Sequence, residues 1–236
     1  KNSFLFKIIY NKRSIVSVST AIQQIINQRY NFENSFKIYN PIDFKEIEQL
    51  QIDFEVNEPK YIVAAGRMND TIKQFDQLIE CYANSILPKQ GIKLLFLGDG
   101  EHKNKLQTLA EQLGLSALIE FKGFVENPFP YYKKALFTVL SSKNEGFPNV
   151  LIETLATQTP VIAFDCFSGP NEIIEHEING LLVDNQNFQA LTEAMNAMIE
   201  NVDLYQNCKQ NAKESVRKFD VEIIGQQWQN LFKNVV

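Results

Sequence analysis

The segment Ser141 to Glu153 (SSKNEGFPNVLIE) concentrates the groups best suited to chemistry in this 236-residue chain. Glu145 sits in a loop that follows an apolar run, and Gly146 frees the backbone beside it. Pro148 suits a first helical position, which puts Glu153 in the opening turns of the helix. Loop amides at a helix entrance can face an anion. A carboxylate slightly further along can accept two hydrogen bonds from a vicinal diol such as a ribose. The same two glutamates could equally do no more than complement the helix dipole. Both readings stand at this point.

Cations follow another apolar run, at Gly66-Arg67 with Lys73 beyond it. Glycine lets the backbone approach a ligand, and two cations can neutralise a diphosphate. A cation near a helix start is unfavourable unless an anion comes to it. Surface residues at a helix start are the plainer alternative. Gly98-Asp99-Gly100 resembles half of a dinucleotide fingerprint, but Lys103 occupies the place of the third glycine. Nicotinamide or flavin binding is rejected on that ground; a tight turn near a ligand is the remaining reading. Asp165-Cys166, followed by Ser168-Gly169-Pro170 and Glu172, is again a loop entering a helix. Cys166 reads as a buried, inert thiol rather than a reactive one. His102 and His176 lack acidic or hydroxyl partners at a telling spacing. No Asp-x-Asp pair and no His/Asp/Glu cluster suggests a metal.

Each of these segments follows a short apolar run: Tyr61–Ala65, Leu94–Leu97, Ile119–Phe121, Phe137–Leu140, Val161–Phe164 and Leu181–Val183. Runs that are apolar at nearly every position predict strands buried on both faces of a parallel sheet. Between them the period turns helical, with stripes at Ile72, Phe75, Leu78, Ile79, Tyr82 and Ile86, at Leu106, Leu109, Ala110 and Leu113, and at Leu191, Ala194, Met195, Met198 and Ile199. Gly114 stops the second helix. This alternation predicts an α/β fold, a doubly wound, Rossmann-like parallel sheet, in which ligands bind at the carboxyl ends of the strands.

Before Tyr61 the pattern differs. Residues 1–11 read as an aromatic, basic helix, Ser14–Ser17 as a strand, Ser19 as the N-cap of a helix through about Gln28, and Phe36–Tyr39 as a strand. Asn40-Pro41 is a turn signal and marks an expected boundary. Residues 1–40 are too few for a domain of their own and read as a remnant; residues 41–236 form the main domain. Lys1 in place of Met reads as a fragment. The basic, aromatic residues 1–13 could lie on an anionic membrane, although a packed helix is the simpler reading.

A net charge of −5 argues against a nucleic-acid partner, because phosphate neutralisation needs clustered Lys and Arg. Three cysteines are too few and too scattered for a disulfide framework, which suggests a reducing compartment. No apolar run approaches the ~18 residues of a membrane span.

Together these features resemble the retaining, nucleotide-sugar-dependent glycosyltransferases of the GT-B fold, family four, from about Arg13 to the C-terminus. Ser17-Val18-Ser19 resembles the last strand of that family's N-lobe, and Ile38 to Asp43 its interdomain linker. Gly66-Arg67-Met68 and Lys73 resemble the diphosphate-binding pair, although the gap between the cations is one residue longer. Phe121 to Val125 resembles the loop beside the base, and Glu145 to Glu153 the paired-glutamate signature. Asn179 to Val183 resembles a late hairpin, and Phe219 to Phe232 the helix that crosses back to the N-lobe. Ser168-Gly169-Pro170 stands where a glycine pair is more usual.

The resemblance implies the C-terminal, donor-binding lobe of a GT-B fold with a short N-lobe remnant. It implies a hexosyl- or N-acetylhexosaminyltransferase of bacterial lipopolysaccharide or capsule biosynthesis, using a UDP-sugar. The expected acceptor is a glycan or a lipid-linked glycan, with no cofactor and no metal. Arg67, Lys73 and Glu145 take the catalytic roles by that resemblance: the two cations on the diphosphate, Glu145 by the sugar. Gly66, Gly98, Phe124, Val125, Gly146, Phe147, Pro148, Asn149 and Glu153 line the donor site, with Glu153 on the ribose. The expected location is the cytoplasm or the inner face of the plasma membrane, reached through the missing N-lobe, without which no transfer is expected. A GT-B sugar-nucleotide epimerase and a non-catalytic nucleotide-binding domain are the alternatives.

Overall fold

The computed structural model describes residues 9–10, 13–30 and 34–235. The helix and the membrane contact read into the first thirteen residues therefore lie largely outside the described residues; Ile9 and Tyr10 are helical. Strand β1 (Ile15–Ser17), helix α1 (Thr20–Tyr30) and strand β2 (Ser35–Lys37) come first. β1 and β2 pair in parallel, Val16 opposite Phe36. Ser19 caps α1 as expected, its Oγ accepting from Ile22 N at 3.3 Å. Helix α2 (Phe44–Leu50) follows the Asn-Pro turn. Asp43 caps it, accepting from the amides of Lys45 and Glu46 at 2.9 and 3.1 Å. Helix α2 leaves no signal in the sequence, because seven residues are too few to display a helical period.

The rest of the chain alternates strand and helix: β3 (Tyr61–Ala65), α3 (Phe75–Asn84), β4 (Lys93–Leu97), α4 (Lys103–Gln112), β5 (Ile119–Gly123), α5 (Phe129–Lys134), β6 (Thr138–Leu140), α6 (Asn149–Ala156), β7 (Val161–Asp165), α7 (Pro170–Ile173), β8 (Gly180–Asp184), α8 (Phe188–Glu200), α9 (Val202–Ser215) and α10 (Val221–Val235). All six strands are parallel, in the order β5-β4-β3-β6-β7-β8. Chain order thus runs outward from β3 to one edge, then returns and runs from β6 to the other. The doubly wound sheet read from the apolar runs is present. Ile62, Val63, Leu94, Leu95, Ile162 and Ala163 are fully buried, as strands covered on both faces require.

Two expectations need correction. The third-strand helix begins at Phe75 rather than Ile72; Gln74 precedes it with φ 49°, and Ile72 is 38% exposed. A left-handed residue breaks the helical run, so Ile72 sits off the stripe that its spacing suggested. Asn179–Val183 is not a hairpin: β8 lies parallel to β7 from Val161↔Gly180 to Asp165↔Asp184.

The N-terminal segment is held by two contacts. Ile38, Ile224 and Leu231 form an apolar cluster with Val16, Phe36 and Trp228 packed on it, so α10 crosses back onto β1 and β2. Glu172 of α7 accepts from Thr20 N at 2.9 Å, Thr20 Oγ1 at 2.5 Å and Tyr39 OH at 2.8 Å, with Lys37 Nζ at 3.6 Å. Desolvation pushes this carboxyl up, but the bonds from Thr20 and Tyr39 and the charge of Lys37 outweigh it, and the net shift is downward. A carboxyl lowered by folding stabilises above its unfolded pKa, ~4.3, and that contribution disappears as pH falls through the lower folded value. Glu172→Gln should therefore speed hydrogen exchange of the α1 amides about tenfold, as expected for mispairing of buried donors at ~1–3 kcal/mol, while β3 and β4 stay protected. Acidifying the wild type should reproduce that local loosening.

Candidate functional site

The carboxyl ends of β3 and β4 are bound into one backbone unit. Gly66 N donates to Leu97 O at 2.9 Å, Met68 N to Asp99 O at 2.9 Å and Gly98 N to Gly123 O at 2.7 Å. Gly98 has φ +140°, and a Cβ there would stand 2.0 Å from Gly66 O. The Gly98-Asp99-Gly100 turn is therefore first a packing device between two loops. The stem of Lys73 lies over Gly66, whose missing Cβ would be 2.9 Å from Lys73 Cε. A third loop is fastened to the same unit, since Ser141 Oγ donates to Lys73 O at 2.7 Å and Lys143 N to Ile72 O at 3.0 Å.

These loops enclose a cavity of about 600 Å³. Gly66, Arg67, Lys73, Gly98, Phe124, Val125, Glu145, Phe147, Pro148 and Asn149 all line it, which brings together nearly every residue the sequence singled out. Gly146 lines a second cavity of about 630 Å³ instead, which shares Gly66, Arg67, Lys73 and Glu145 with the first. Glu153 lines neither; it stands one turn further along α6 than Asn149 and Val150. Spacing alone missed Asp99, Pro128, Tyr132 and Val150 in the first cavity, and Ile22, Asp70, Ile72 and Phe167 in the second. The run Asn127-Pro128-Phe129-Pro130 just after β5 was the available signal for Pro128 and Tyr132.

The two cations behave differently. Lys73 Nζ pairs with Glu145 Oε1 at 2.6 Å, with side chains only 22% and 14% exposed. Lys73 therefore lies in the loop before α3, pinned by a carboxylate, and not on the helix itself. Arg67 is exposed and has no hydrogen bond or ion pair among the described residues. Beside it, the amides of Phe147, Asn149 and Val150 have no acceptor among the described residues. Those N–H groups and the Arg67 guanidinium make an electropositive rim suited to a polyanion. Phe124 is 82% exposed at the mouth, an unusual setting for a large aromatic ring and a ready stacking surface. Cys166 is buried, as its sequence setting suggests: it is 1% exposed, and burial pushes its pKa up to about 11, which disfavours the reactive thiolate. No helix among the described residues is long and apolar enough to cross a membrane.

Residues 46–215 match the family described as glycosyl transferases group 1. Over 225 residues the chain is 32% identical to an N-acetylgalactosamine-N,N'-diacetylbacillosaminyl-diphospho-undecaprenol 4-alpha-N-acetylgalactosaminyltransferase of Campylobacter jejuni, covering 93% of this chain and 60% of that protein. It is 30% identical over 227 residues to a poly(ribitol-phosphate) alpha-N-acetylglucosaminyltransferase of Staphylococcus aureus, covering 95% of this chain and 45% of that one. A mutant of S. aureus TarM, crystallised with fondaparinux, alpha-GlcNAc-glycerol and UDP, superposes with a TM-score of 0.80 at 25% identity, covering 93% of this chain and 43% of that one. The chain spans 60% or less of the length of each of these proteins.

Glu153 is the most conspicuous group beside the cleft. Its carboxylate has no hydrogen bond or ion pair among the described residues, and desolvation raises its pKa. Burying a charge without a partner opposes folding, so such a group is more easily understood as serving a ligand than the fold. The sign is the reverse of Glu172: a carboxyl raised by folding favours the folded state below its unfolded pKa, and loses that contribution as pH rises through the folded value. Glu153→Gln should raise the melting temperature at pH 7, and the gain over wild type should vanish towards pH 4. Differential scanning calorimetry across that range is the check.

Proposed function

The chain belongs to the glycosyl transferases group 1 family, and from that premise we propose that it is the donor-binding part of a glycosyltransferase. The enzyme moves a sugar from UDP to a glycan or lipid-linked acceptor, with retention of anomeric configuration. Retention rests on the sequence resemblance alone. The observation that carries the reading is the convergence of an unpartnered Arg67 and three unpartnered amides on one cleft.

In that reading the diphosphate bridges the two cavities at Arg67 and Lys73, the residues common to both. The uridine lies in the first cavity, its base against Phe124, and its ribose reaches past the lining residues Asn149 and Val150 to Glu153, one turn further along α6. The sugar lies in the second, next to Glu145. Negative charge grows on the UDP leaving group as the glycosidic bond to phosphate breaks. Arg67, Lys73 and the amides of Phe147 to Asn149 oppose that charge where it develops, a role that fixed donors fulfil without reorganising. Lys73 Nζ carries three N–H donors, so the ammonium that pairs with Glu145 at 2.6 Å can also donate to a phosphate.

The wall of the second cavity includes Phe167, 51% exposed, Ile72 and Ile22. Such a wall suits the methyl of an acetamido group. Both transferases named above carry N-acetylated sugars in their names, and an N-acetylhexosamine is the donor sugar proposed here. The acceptor approaches from the side of α1, with a membrane surface behind it if lipid-linked.

Isothermal titration of UDP into the chain should give saturable binding. Arg67→Ala should weaken it roughly tenfold to a hundredfold, the ~1.5–3 kcal/mol of a charge-assisted hydrogen bond, with little change in melting temperature. Absence of saturable binding, or equal affinity in Arg67→Ala, would sink the proposal.

A further inference from the structure

Ser168 stands where the resemblance led us to expect glycine, and its hydroxyl is fully buried. Its Oγ lies 2.6 Å from Gly146 O and 2.6 Å from Ser19 Oγ, itself fully buried. A carbonyl can only accept, so the single Ser168 proton goes to Gly146 O. The contact with Ser19 must then be donated by Ser19, whose Oγ in turn accepts from Ile22 N at 3.3 Å. The result is a one-way relay from the start of α1 to a carbonyl in the loop that carries Glu145.

That carbonyl belongs to the Gly146–Phe147 peptide. A trans peptide is planar, with its C=O and N–H pointing in opposite directions. Holding the Gly146 carbonyl on Ser168 turns the Phe147 N–H the other way, and that N–H has no acceptor among the described residues. The Phe147 ring is engaged elsewhere, packed on Tyr39 and Phe219 at 5.2 and 5.3 Å between centroids. Glycine at 146 would otherwise make a flip of this peptide easy. The next residue reinforces the hold: Gly169 has φ +96°, and a Cβ there would sit 2.5 Å from Pro148 Cδ, so this backbone presses directly on the loop.

We propose that Ser168, oriented by Ser19, is a positioning residue that aims the Phe147 amide at the β-phosphate of the donor, tying phosphate affinity to the seating of α1. It rests on the donor-site reading above. UMP, which lacks a β-phosphate, and UDP are the probes, titrated calorimetrically into the 236-residue chain and its variants. Ser168→Ala should weaken UDP about tenfold, one aimed hydrogen bond, and leave UMP within about twofold. Ser168→Cys, which keeps a weak donor, should fall between Ser168→Ala and wild type. Ser19→Ala should weaken UDP less than Ser168→Ala, since Ser168 can still donate to Gly146; it also supplies the test if Ser168→Ala fails to fold. Equal weakening of UMP and UDP, or unchanged UDP affinity, overturns this proposal alone. A wild type that binds neither nucleotide overturns the donor reading and this proposal with it.

Discussion

Strands β3 and β6 share one paired position, Val63 with Thr138, and part beyond it. Their neighbours stay zipped for longer: β3 pairs with β4 at five positions and β6 with β7 at three. Because the chain winds outward in both directions from this seam, the loops after β3 and β6 leave towards opposite sides. A crevice must open between them, as at any switch point of a doubly wound sheet. Arg67 and Lys73 enter it from one side and Glu145 from the other. No loop in the chain could build this site alone.

The charges in the crevice are arranged unequally. Lys73 and Glu145 satisfy one another in a shielded position, whereas Arg67 and the amides at the entrance of α6 have no partner among the described residues. Glu153 adds a desolvated negative charge one turn along the same helix. A fold optimised only for stability would not keep uncompensated charges of both signs around one cavity.

The N-terminal segment is part of this arrangement. Glu172, on the short helix that follows β7, holds Thr20 and Tyr39, while Ser168, four residues earlier, holds Ser19 and the loop of Gly146. Helix α10 closes the same corner from behind by packing on Ile38. The seating of α1 and the shape of the loop at Gly146 thus share one set of hydrogen bonds. Buried networks of this kind are rigid when complete.

The sequence by itself determined the sheet, because strands covered on both faces must be apolar throughout, and runs such as Tyr61–Ala65 and Val161–Phe164 carry that signature locally. It also determined the groups around the cleft, since Arg67, Glu145 and Phe147 to Asn149 follow such runs directly. The α3 start at Phe75 and the short α2 were not legible, because a left-handed Gln74 and a seven-residue helix leave no periodic trace. Tertiary structure alone decided that Lys73 would be pinned by Glu145, that Glu153 would stand outside the cavity lining, and that Ser168 would hold Gly146 while meeting Ser19 from 149 positions away in sequence. The physical reason is range. Hydrophobic periodicity is fixed by neighbours a few residues apart, whereas the partner of a charge or a hydroxyl is whatever the folded chain brings within about 3 Å.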